Sequence, residues 1–349
     1  MSKTTLVSLA ESLGVSRQTV SNVINAPHRV KPETRMRVQH AIVESGYRPS
    51  AAARQLRTRR SMNFGIRMMP VVDGINGSIL DRFLHALTEA AQEEGYRVTL
   101  FCADTDAGEI RQYEELLKVA DLDGFVLTGT HHGDHRTAWL LEHGIPFAAF
   151  GRPWSSIEDP FGSLHPWVDV DGGAGTEQAT RTLIEQGHTA VGFLGWPGGS
   201  GAGDDRRAGW ARAMRAAKLP TDSLDIQADD GVPAGAQGAE QLASKGATAV
   251  VCASDSLALG ALAKLRQLHP EQASPALIGF DDTPVAAAVG LSSVSQPTED
   301  AARHIVAVLA HQLAGSSSPH GDEEPAPERH LLLPPTLIQR TPYSFSSST

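Results

Sequence analysis

Hydrophobic and polar positions follow two different patterns along the chain, and the first pattern predicts three short helices. One helical face is predicted where apolar residues stand at i, i+3, i+4 and i+7: Leu6, Leu9, Ala10 and Leu13. Gly14 ends this row, and Ser16 is a good N-cap for a second helix. Pro32 favours the start of a third helix, and Gly46 favours its end.

The predicted second helix has one polar and one apolar face. Arg17, Gln18, Ser21 and Asn22 share a face by their spacing, and valines and isoleucine occupy the opposite side. A glycine turn between the first two of three short helices is typical of a helix-turn-helix domain, whose second helix enters the major groove of DNA. A small helical domain that docks another protein is the alternative interpretation.

The polar residues of this helix can be divided by the DNA groups that they suit. Arg17, Gln18 and Asn22 can pair with guanine or adenine edges, so we expect them to read bases. Smaller or more peripheral polar residues suit phosphate contacts, which position a protein without reading sequence. The predicted phosphate contacts are Thr5, Ser16, Thr19, Ser21, Asn25 and Arg29.

From about residue 61 the second pattern begins, in which apolar strand-like runs alternate with amphipathic helical segments. Such alternation predicts parallel sheets covered on both faces. Two series of these segments predict two Rossmann-like lobes, and ligands of open α/β sheets bind beyond the carboxyl ends of the strands. The expected fold class is therefore α plus α/β, with a ligand cleft between two lobes.

Charge changes this picture at the N-terminus. The 349 residues carry a formal net charge of −10, but residues 1–60 hold eleven Lys and Arg against three Glu, a net charge of +8. The remainder carries −18. A basic head on an acidic body is typical of a protein whose head binds a polyanion such as DNA.

Cys102 and Cys252 lie in apolar runs and are expected to be core residues of a cytoplasmic protein. A signal peptide or an apolar run of membrane-spanning length is not visible.

Two segments carry a family resemblance. "TLVSLAESLGVSRQTVSNVIN" and "VKPETRMRVQHAIVESGYRPSAAARQLRT" closely resemble the headpiece and hinge of LacI/GalR transcription regulators. The resemblance implies a homodimer on a palindromic operator, with 50–56 as a hinge helix. Ala53, Arg54 and Leu56 would enter the minor groove, where an apolar wedge kinks the duplex.

The resemblance also implies domain boundaries. Residues 1–48 would form the headpiece, 49–60 the hinge and linker, 61–342 the effector-binding and dimerisation core, and 343–349 a tail. The N-lobe would comprise about 61–165 plus 296–327, and the C-lobe about 166–295 plus 328–342.

Polar and aromatic residues follow several predicted strands and are candidates for the effector site. "RRAGW" resembles the family motif whose first Arg binds ligand hydroxyls, here Arg206, and "GFDD" resembles the segment whose first Asp binds ligand, here Asp281. The predicted effector residues are Asp73, Asn76, Ser78, Arg152, Trp154, Trp167, Trp196, Arg206, Asp255 and Asp281. Trp210 can equally be a core residue.

The aromatic residues and charges favour a neutral sugar as the effector. Four of the five tryptophans lie between 154 and 210, and flat rings beside Arg and Asp suit the apolar faces and hydroxyl edges of sugars. "GDDRRAGW" and "WVDVDG" are similar to segments of cellobiose- and cello-oligosaccharide-responsive repressors. We therefore expect release from the operator when such a sugar binds.

Other functions remain open at this point, with different weights. An enzyme is disfavoured, because "HHGDH" at 131–135 is expected to be solvated histidine without metal, and "PGGSGAG" lacks the last Gly of a nucleophile elbow. No cofactor is expected. A solute-binding protein without DNA function, or a co-repressed or otherwise induced regulator that responds to a purine, a nucleoside or another sugar, would share much of the architecture.

Overall fold

The chain divides into two units, Met1–Ser61 and Met62–Thr349. The structure is a computed structural model, and it describes residues 5–25, 27–45, 47, 60–68, 75, 77–119, 122–154, 162, 164–269, 276–314 and 325–340. Within these ranges, no helix is both long and apolar enough to cross a membrane.

The first unit contains the three predicted helices. They are α1 (Leu6–Leu13), α2 (Arg17–Asn25) and α3 (Pro32–Ser45), and a 3₁₀ turn, Pro27–Arg29, follows α2. Gly14 ends α1 with a φ of 62°, a left-handed conformation that glycine adopts without strain. The apolar faces of all three helices meet in one small core: Leu9, Ala10, Val20, Val23, Val38 and Tyr47.

The second unit begins with a lobe built on a parallel sheet. Its strand order is β11-β5-β4-β3-β1-β2. The strands are β1 (Asn63–Met68), β2 (Arg97–Cys102), β3 (Gly124–Thr128), β4 (Phe147–Phe150), β5 (Trp167–Val170) and β11 (His330–Leu333).

Helices cover both faces of this sheet, as a continuous apolar strand such as β3 requires. On one face α4 (Gly77–Glu93) and α12 (Thr298–Ala314) bury a cluster around Phe64, Phe83 and Leu309. On the other face α5 (Asp106–Val119) and α6 (His135–Glu142) bury a cluster around Phe101, Tyr113 and Phe125.

The second lobe repeats this plan with one antiparallel strand. Its order is β12-β10-β9-β8-β6-β7, and β12 runs antiparallel to β10. The strands are β6 (Val191–Gly195), β7 (Asp225–Gln227), β8 (Ala249–Cys252), β9 (Ala276–Phe280), β10 (Ser292–Ser295) and β12 (Thr336–Ile338). The helices are α7 (Gly172–Glu185), α8 (Ala202–Ala216), α9 (Val232–Ser244), α10 (Asp255–Leu268) and α11 (Pro284–Ala288).

The structure corrects the lobe boundaries given by the sequence. β5 pairs with β4, and β11 pairs with β5, so both strands belong to the first lobe's sheet instead of the C-lobe. The chain therefore leaves the first lobe after Val170, because β5 forms its backbone pairs with strands of that lobe up to this residue. It returns after β10 and crosses a third time between β11 and β12.

Cys102 is also corrected. It is exposed, while Cys252 is buried as predicted. The reason is that Cys102 ends β2, an edge strand, whose last residue is not covered by a further strand.

Candidate functional sites

The recognition surface is the exposed face of α2. Val20 and Val23 are buried and fix the rotation of the helix, so Arg17 and Gln18 are exposed on the opposite side. The Gln18 Nε2 atom donates to the Asn22 Oδ1 atom at 2.9 Å. This bond links the two amide side chains into one polar unit facing away from the core.

Two of the predicted phosphate contacts cap helices. The Ser16 hydroxyl accepts from the Thr19 backbone N–H at 3.0 Å, and the Thr5 hydroxyl accepts from the Ser8 N–H at 3.1 Å. Helix N-termini with their backbone donors suit phosphate oxygens. Arg29 is exposed in the 3₁₀ turn, and Ser21 is half-buried on α2. The Asn25 side chain and the hinge residues Ala53, Arg54 and Leu56 lie outside the described residues.

Arg206 occupies a buried position between aromatic rings in the second lobe. Its guanidinium carbon lies 3.6 Å from the centroid of Phe280 and 5.1 Å from that of Trp196. The Nη1 atom donates to the Ala253 carbonyl at 2.5 Å, and Nη2 lies 3.9 Å from Asp281 Oδ1. Burial lowers the pKa of Arg206, and the Asp281 carboxylate opposes this effect. The Nε atom has no hydrogen-bond partner within the described part of the chain.

The glycine and the tryptophan of the "RRAGW" motif are explained by the packing of α8 against its neighbours. A Cβ atom on Gly209 would lie 2.0 Å from the Gly173 carbonyl oxygen, so glycine permits the close approach of α8 to α7. Trp210 is buried, and its Nε1 atom donates to the Val191 carbonyl at 2.9 Å. Trp210 is therefore a core residue that anchors α8, while Arg206 lies one turn earlier on the same helix.

Asp281 stands at the carboxyl end of β9 in a strained conformation. Its φ is 103°, which residues other than glycine rarely adopt and which is concentrated at functional sites. Gln296 Nε2 donates to its Oδ1 atom at 2.6 Å. Burial raises the pKa of Asp281 to about 7; the Arg206 charge opposes the shift, and Asp255 adds to it.

Asp255 is hydrogen-bonded to the backbone of the turn that follows Asp281. Its side chain is fully buried; Oδ1 accepts from the Ser293 hydroxyl at 2.6 Å, and Oδ2 accepts from the Thr283 N–H at 2.7 Å. Burial raises its pKa to about 6, against these hydrogen bonds. The geometry gives Asp255 the role of holding residues 281–283 in place, instead of the direct ligand contact that the sequence suggested.

The sequence interpretation missed Asp230 and Ser254. The Ser254 hydroxyl donates to Asp230 Oδ1 at 2.5 Å and also caps α10. Asp230 follows β7, Ser254 follows β8, and the Arg206 side chain experiences the Asp230 charge. Asp230 could have been found by the same strand-end signal that identified Asp281, because neighbouring parallel strands end at one edge of the sheet.

The first lobe contributes Arg152 and Trp154 from the segment after β4. Arg152 Nε donates to Asp169 Oδ2 at 2.7 Å, and Nη2 donates to Asp205 Oδ2 at 2.9 Å. Its guanidinium carbon lies 4.5 Å from the Trp154 ring centroid. Burial opposes the Arg152 charge, but the two carboxylates outweigh it and raise its pKa. Two of its nitrogens are thus engaged by protein carboxylates.

The other predicted effector residues are placed differently. Trp196 lies beside Arg206, and its Nε1 atom is buried without a partner among the described residues. The Ser78 hydroxyl, near the start of α4, is also buried and has no hydrogen-bond partner among the described residues. Trp167 is the first residue of β5, about 10 Å along the strand from its carboxyl end, and stacks on His330. Trp167 is therefore not brought together with the others. Asp73 and Asn76 lie outside the described residues.

In the histidine-rich segment, His132 and His135 are exposed as predicted, whereas His131 joins a network of charged side chains. His131 Nε2 lies 2.8 Å from Asp106 Oδ2, and Asp106, His131 and Asp134 offer ligand atoms within 4.8 Å of one another. Arg136, however, donates to both oxygens of Asp134 at 2.9 and 2.6 Å. An added cation would face this guanidinium, so the group fits an ion network better than a metal site.

Comparisons with known proteins identify relatives of both units. The model of bacterial regulatory proteins, lacI family, matches residues 5–50, and that of the periplasmic binding protein-like domain matches residues 180–341. The HTH-type transcriptional regulator CelR of Thermobifida fusca is 32% identical over 329 residues, which cover 90% of this chain and 93% of CelR. The regulator AglR of Rhizobium meliloti is 30% identical over 340 residues, covering 96% and 93% of the two chains.

Solved structures agree with this result. A transcriptional regulator CelR–cellobiose complex superposes with a TM-score of 0.68 at 29% identity and covers 97% of this chain and 99% of that one. The lac repressor dimer bound to operator and an anti-inducer gives a TM-score of 0.74 at 22% identity over 97% and 98% of the chains, a likeness of fold.

Proposed function

This chain belongs to the LacI family of bacterial regulatory proteins, and from that premise we propose that it represses sugar-utilisation genes and leaves a palindromic operator when a neutral oligosaccharide binds. Family membership makes the chain a DNA-binding transcription regulator and not an enzyme. Our best candidate for the effector is cellobiose or a cello-oligosaccharide, and the regulator acts in the cytoplasm as a homodimer.

The polar face of α2 supports the DNA-reading part of the proposal. The guanidinium of Arg17 can donate two hydrogen bonds to the O6 and N7 atoms of guanine. The amide groups of Gln18 and Asn22 are suited to the N6 and N7 atoms of adenine. Two copies of this helix in a dimer would read two half-sites related by twofold symmetry. The hinge residues Ala53, Arg54 and Leu56 are proposed to enter the minor groove at the centre of the site.

The observation that carries the effector proposal is the Arg206–Asp281 pair at the strand ends of the second lobe, flanked by Phe280 and Trp196. A donor-rich guanidinium and an acceptor carboxylate side by side match the vicinal hydroxyls of a sugar, and the rings match its apolar face. Arg152 is likewise paired with carboxylates. Because acidic side chains surround both arginines, a neutral ligand is favoured over a phosphorylated one.

Release follows from linkage between the two sites. If the sugar binds one arrangement of the lobes more tightly than another, it must shift the protein toward that arrangement. Couplings of about 1–3 kcal/mol are typical and would weaken operator binding roughly 5- to 150-fold. A purine or nucleoside co-repressor, which would instead tighten operator binding, is the second candidate.

The effector class is tested by titrating the full-length protein with cellobiose, maltose, lactose and hypoxanthine while tryptophan fluorescence is recorded. Trp196 beside Arg206 is the expected reporter. We expect a saturable change with cellobiose that is lost in Trp196→Phe, while Trp139→Phe, in the α6 helix, serves as the control. A response to hypoxanthine alone would overturn the sugar proposal and leave the DNA-binding function untouched.

A further inference from the structure

Among the described residues, the carboxylate of Asp205 bridges the two lobes. Its Oδ2 atom accepts from Arg152 Nη2 of the first lobe at 2.9 Å and from the Gly173 N–H at the start of α7 at 2.8 Å. Arg152 is itself held in the first lobe by Asp169 of β5 at 2.7 Å. A continuous chain of charge-assisted hydrogen bonds therefore runs from β5 through Arg152 to helix α8.

A second contact lies beside this bridge. A Cβ atom on Gly201, the residue before α8, would lie 2.5 Å from the Trp154 ring, so the ring of the first lobe rests directly on this backbone. Gly201 has a φ of 65°, which also requires glycine. The N-terminal end of α8 is thus the part of the second lobe that the segment after β4 contacts.

Asp205 is adjacent in sequence to Arg206 and leaves it little freedom to move alone. A Cβ atom on Gly172 would lie 3.1 Å from Arg206 Cγ and 3.4 Å from Asp205 Oδ2. The first turn of α7 therefore packs against both side chains at once. Because both side chains extend from one turn of α8 and pack against the same turn of α7, a shift of this turn by a ligand would carry Asp205 with Arg206 and pull on Arg152.

We propose that Asp205 is the positioning residue that couples ligand contact at Arg206 to the first lobe through Arg152. This inference rests on the proposed effector role of Arg206. It assigns Asp205 no ligand contact; its carboxylate transmits a movement of α8 to β4. In this proposal the movement of Asp205 displaces Arg152. This role accounts for the hydrogen bonds that the Arg152 guanidinium donates to Asp169 and Asp205.

The matched control is the neighbouring acid, Asp204. It lies on the same turn of α8, but its carboxylate accepts from Gly199 N–H at 2.8 Å and from Arg207 Nη1 at 3.0 Å, both within the second lobe. Asp204→Asn therefore removes the same charge from the same helix without touching the bridge between lobes.

The first experiment needs no effector. Hydrogen–deuterium exchange of full-length Asp205→Asn should accelerate at least fivefold in the first-lobe peptide 147–154, and exchange of the same peptide should be unchanged in Asp204→Asn. A role confined to the second lobe would change only the peptides around 171–176. Unchanged exchange in 147–154 would overturn the proposal.

The second experiment measures coupling with cellobiose as the probe. In Asp205→Asn, cellobiose should bind within threefold of wild type, operator affinity without sugar should be retained, and the sugar-induced loss of operator affinity should shrink at least fivefold. Adding Arg152→Gln to Asp205→Asn should cause no further loss of coupling, because both substitutions act on one bridge. Full release in Asp205→Asn would overturn the proposal. Failure of cellobiose to bind wild type would instead refute the effector assignment, and the exchange result would still decide the bridge.

Discussion

Asp281→Asn provides a test in which the magnitude can be worked from the structure. The pKa of Asp281 is raised to about 7 by burial, whereas the unfolded chain titrates near the ordinary aspartate value of 3.8. Between these two values the folded protein holds a proton that the unfolded chain has lost. Folding therefore takes up a proton, and the stability contributed by this group falls as pH rises from about 4 to about 7.

The expected size follows from linkage. Full uptake of one proton changes the free energy of unfolding by about 1.4 kcal/mol per pH unit. For a protein of this size that corresponds to a shift in Tm of about 2 °C per pH unit. The variant lacks this dependence, so its Tm relative to wild type should rise by about that amount per unit between pH 5 and 7 and then level off. Asp255, with its pKa raised to about 6, is present in both proteins, so the part of its pH dependence that does not depend on Asp281 cancels in the difference.

The assay is thermal unfolding of both full-length proteins at pH 5, 6, 7 and 8. Comparing the difference between the two Tm values from one pH to the next removes any pH-independent cost of the substitution. Asp204→Asn, in which a half-buried acid of the same lobe is neutralised, serves as the matched control. A wild-type-minus-variant difference that stays constant from pH 5 to 7 would refute the reasoning about buried Asp281. At pH 8, where Asp281 is ionised, cellobiose binding by Asp281→Asn should weaken about 10- to 100-fold, since a hydrogen bond to a charged acceptor is lost.

Three other substitutions test separate parts of the account. Arg206→Ala should abolish the cellobiose response in fluorescence while leaving operator affinity within threefold of wild type; a collapse of operator binding would make the residue structural. Arg17→Ala should cost about 1–3 kcal/mol and relax selectivity at one base position, and a uniform loss over all sequences would indicate a phosphate contact instead. Glu109→Gln should lower the free energy of unfolding by about 3–5 kcal/mol, because Arg67 and Arg136 both lie 2.8 Å from its buried carboxylate; circular dichroism in urea measures this, and a change below 1 kcal/mol would contradict it.

The sequence was sufficient for those features that depend on local patterns. The apolar stripe of α1, the cap at Ser16 and the positive charge of the head all lie within one short stretch, and the helix-turn-helix follows from them. The alternation of strands and helices likewise predicts two α/β lobes, because each strand must be buried on both faces. Arg206 and Asp281 were found because a motif and a strand end mark them.

What the sequence could not give depends on pairing between distant segments. Trp167 and Trp196 are both tryptophans, so residue type does not distinguish them. The pairing of Trp167 with Ala149 and His330 places it at the amino end of β5, away from the other candidates. Asp255 follows a strand as Asp281 does, yet Ser293 and Thr283 close around it from another part of the chain. The role of Asp205 could not be recognised from the sequence, because its partner Arg152 lies 53 positions away along the chain.

The central claim, release of a palindromic operator by a neutral sugar, is tested most directly by selecting bound fragments from random DNA and measuring the affinity of the full-length protein for the selected sequence with and without cellobiose. The account predicts a twofold-symmetric consensus whose affinity falls roughly 5- to 150-fold at saturating cellobiose. A consensus without symmetry, or an operator affinity that cellobiose leaves unchanged while hypoxanthine tightens it, would contradict the account.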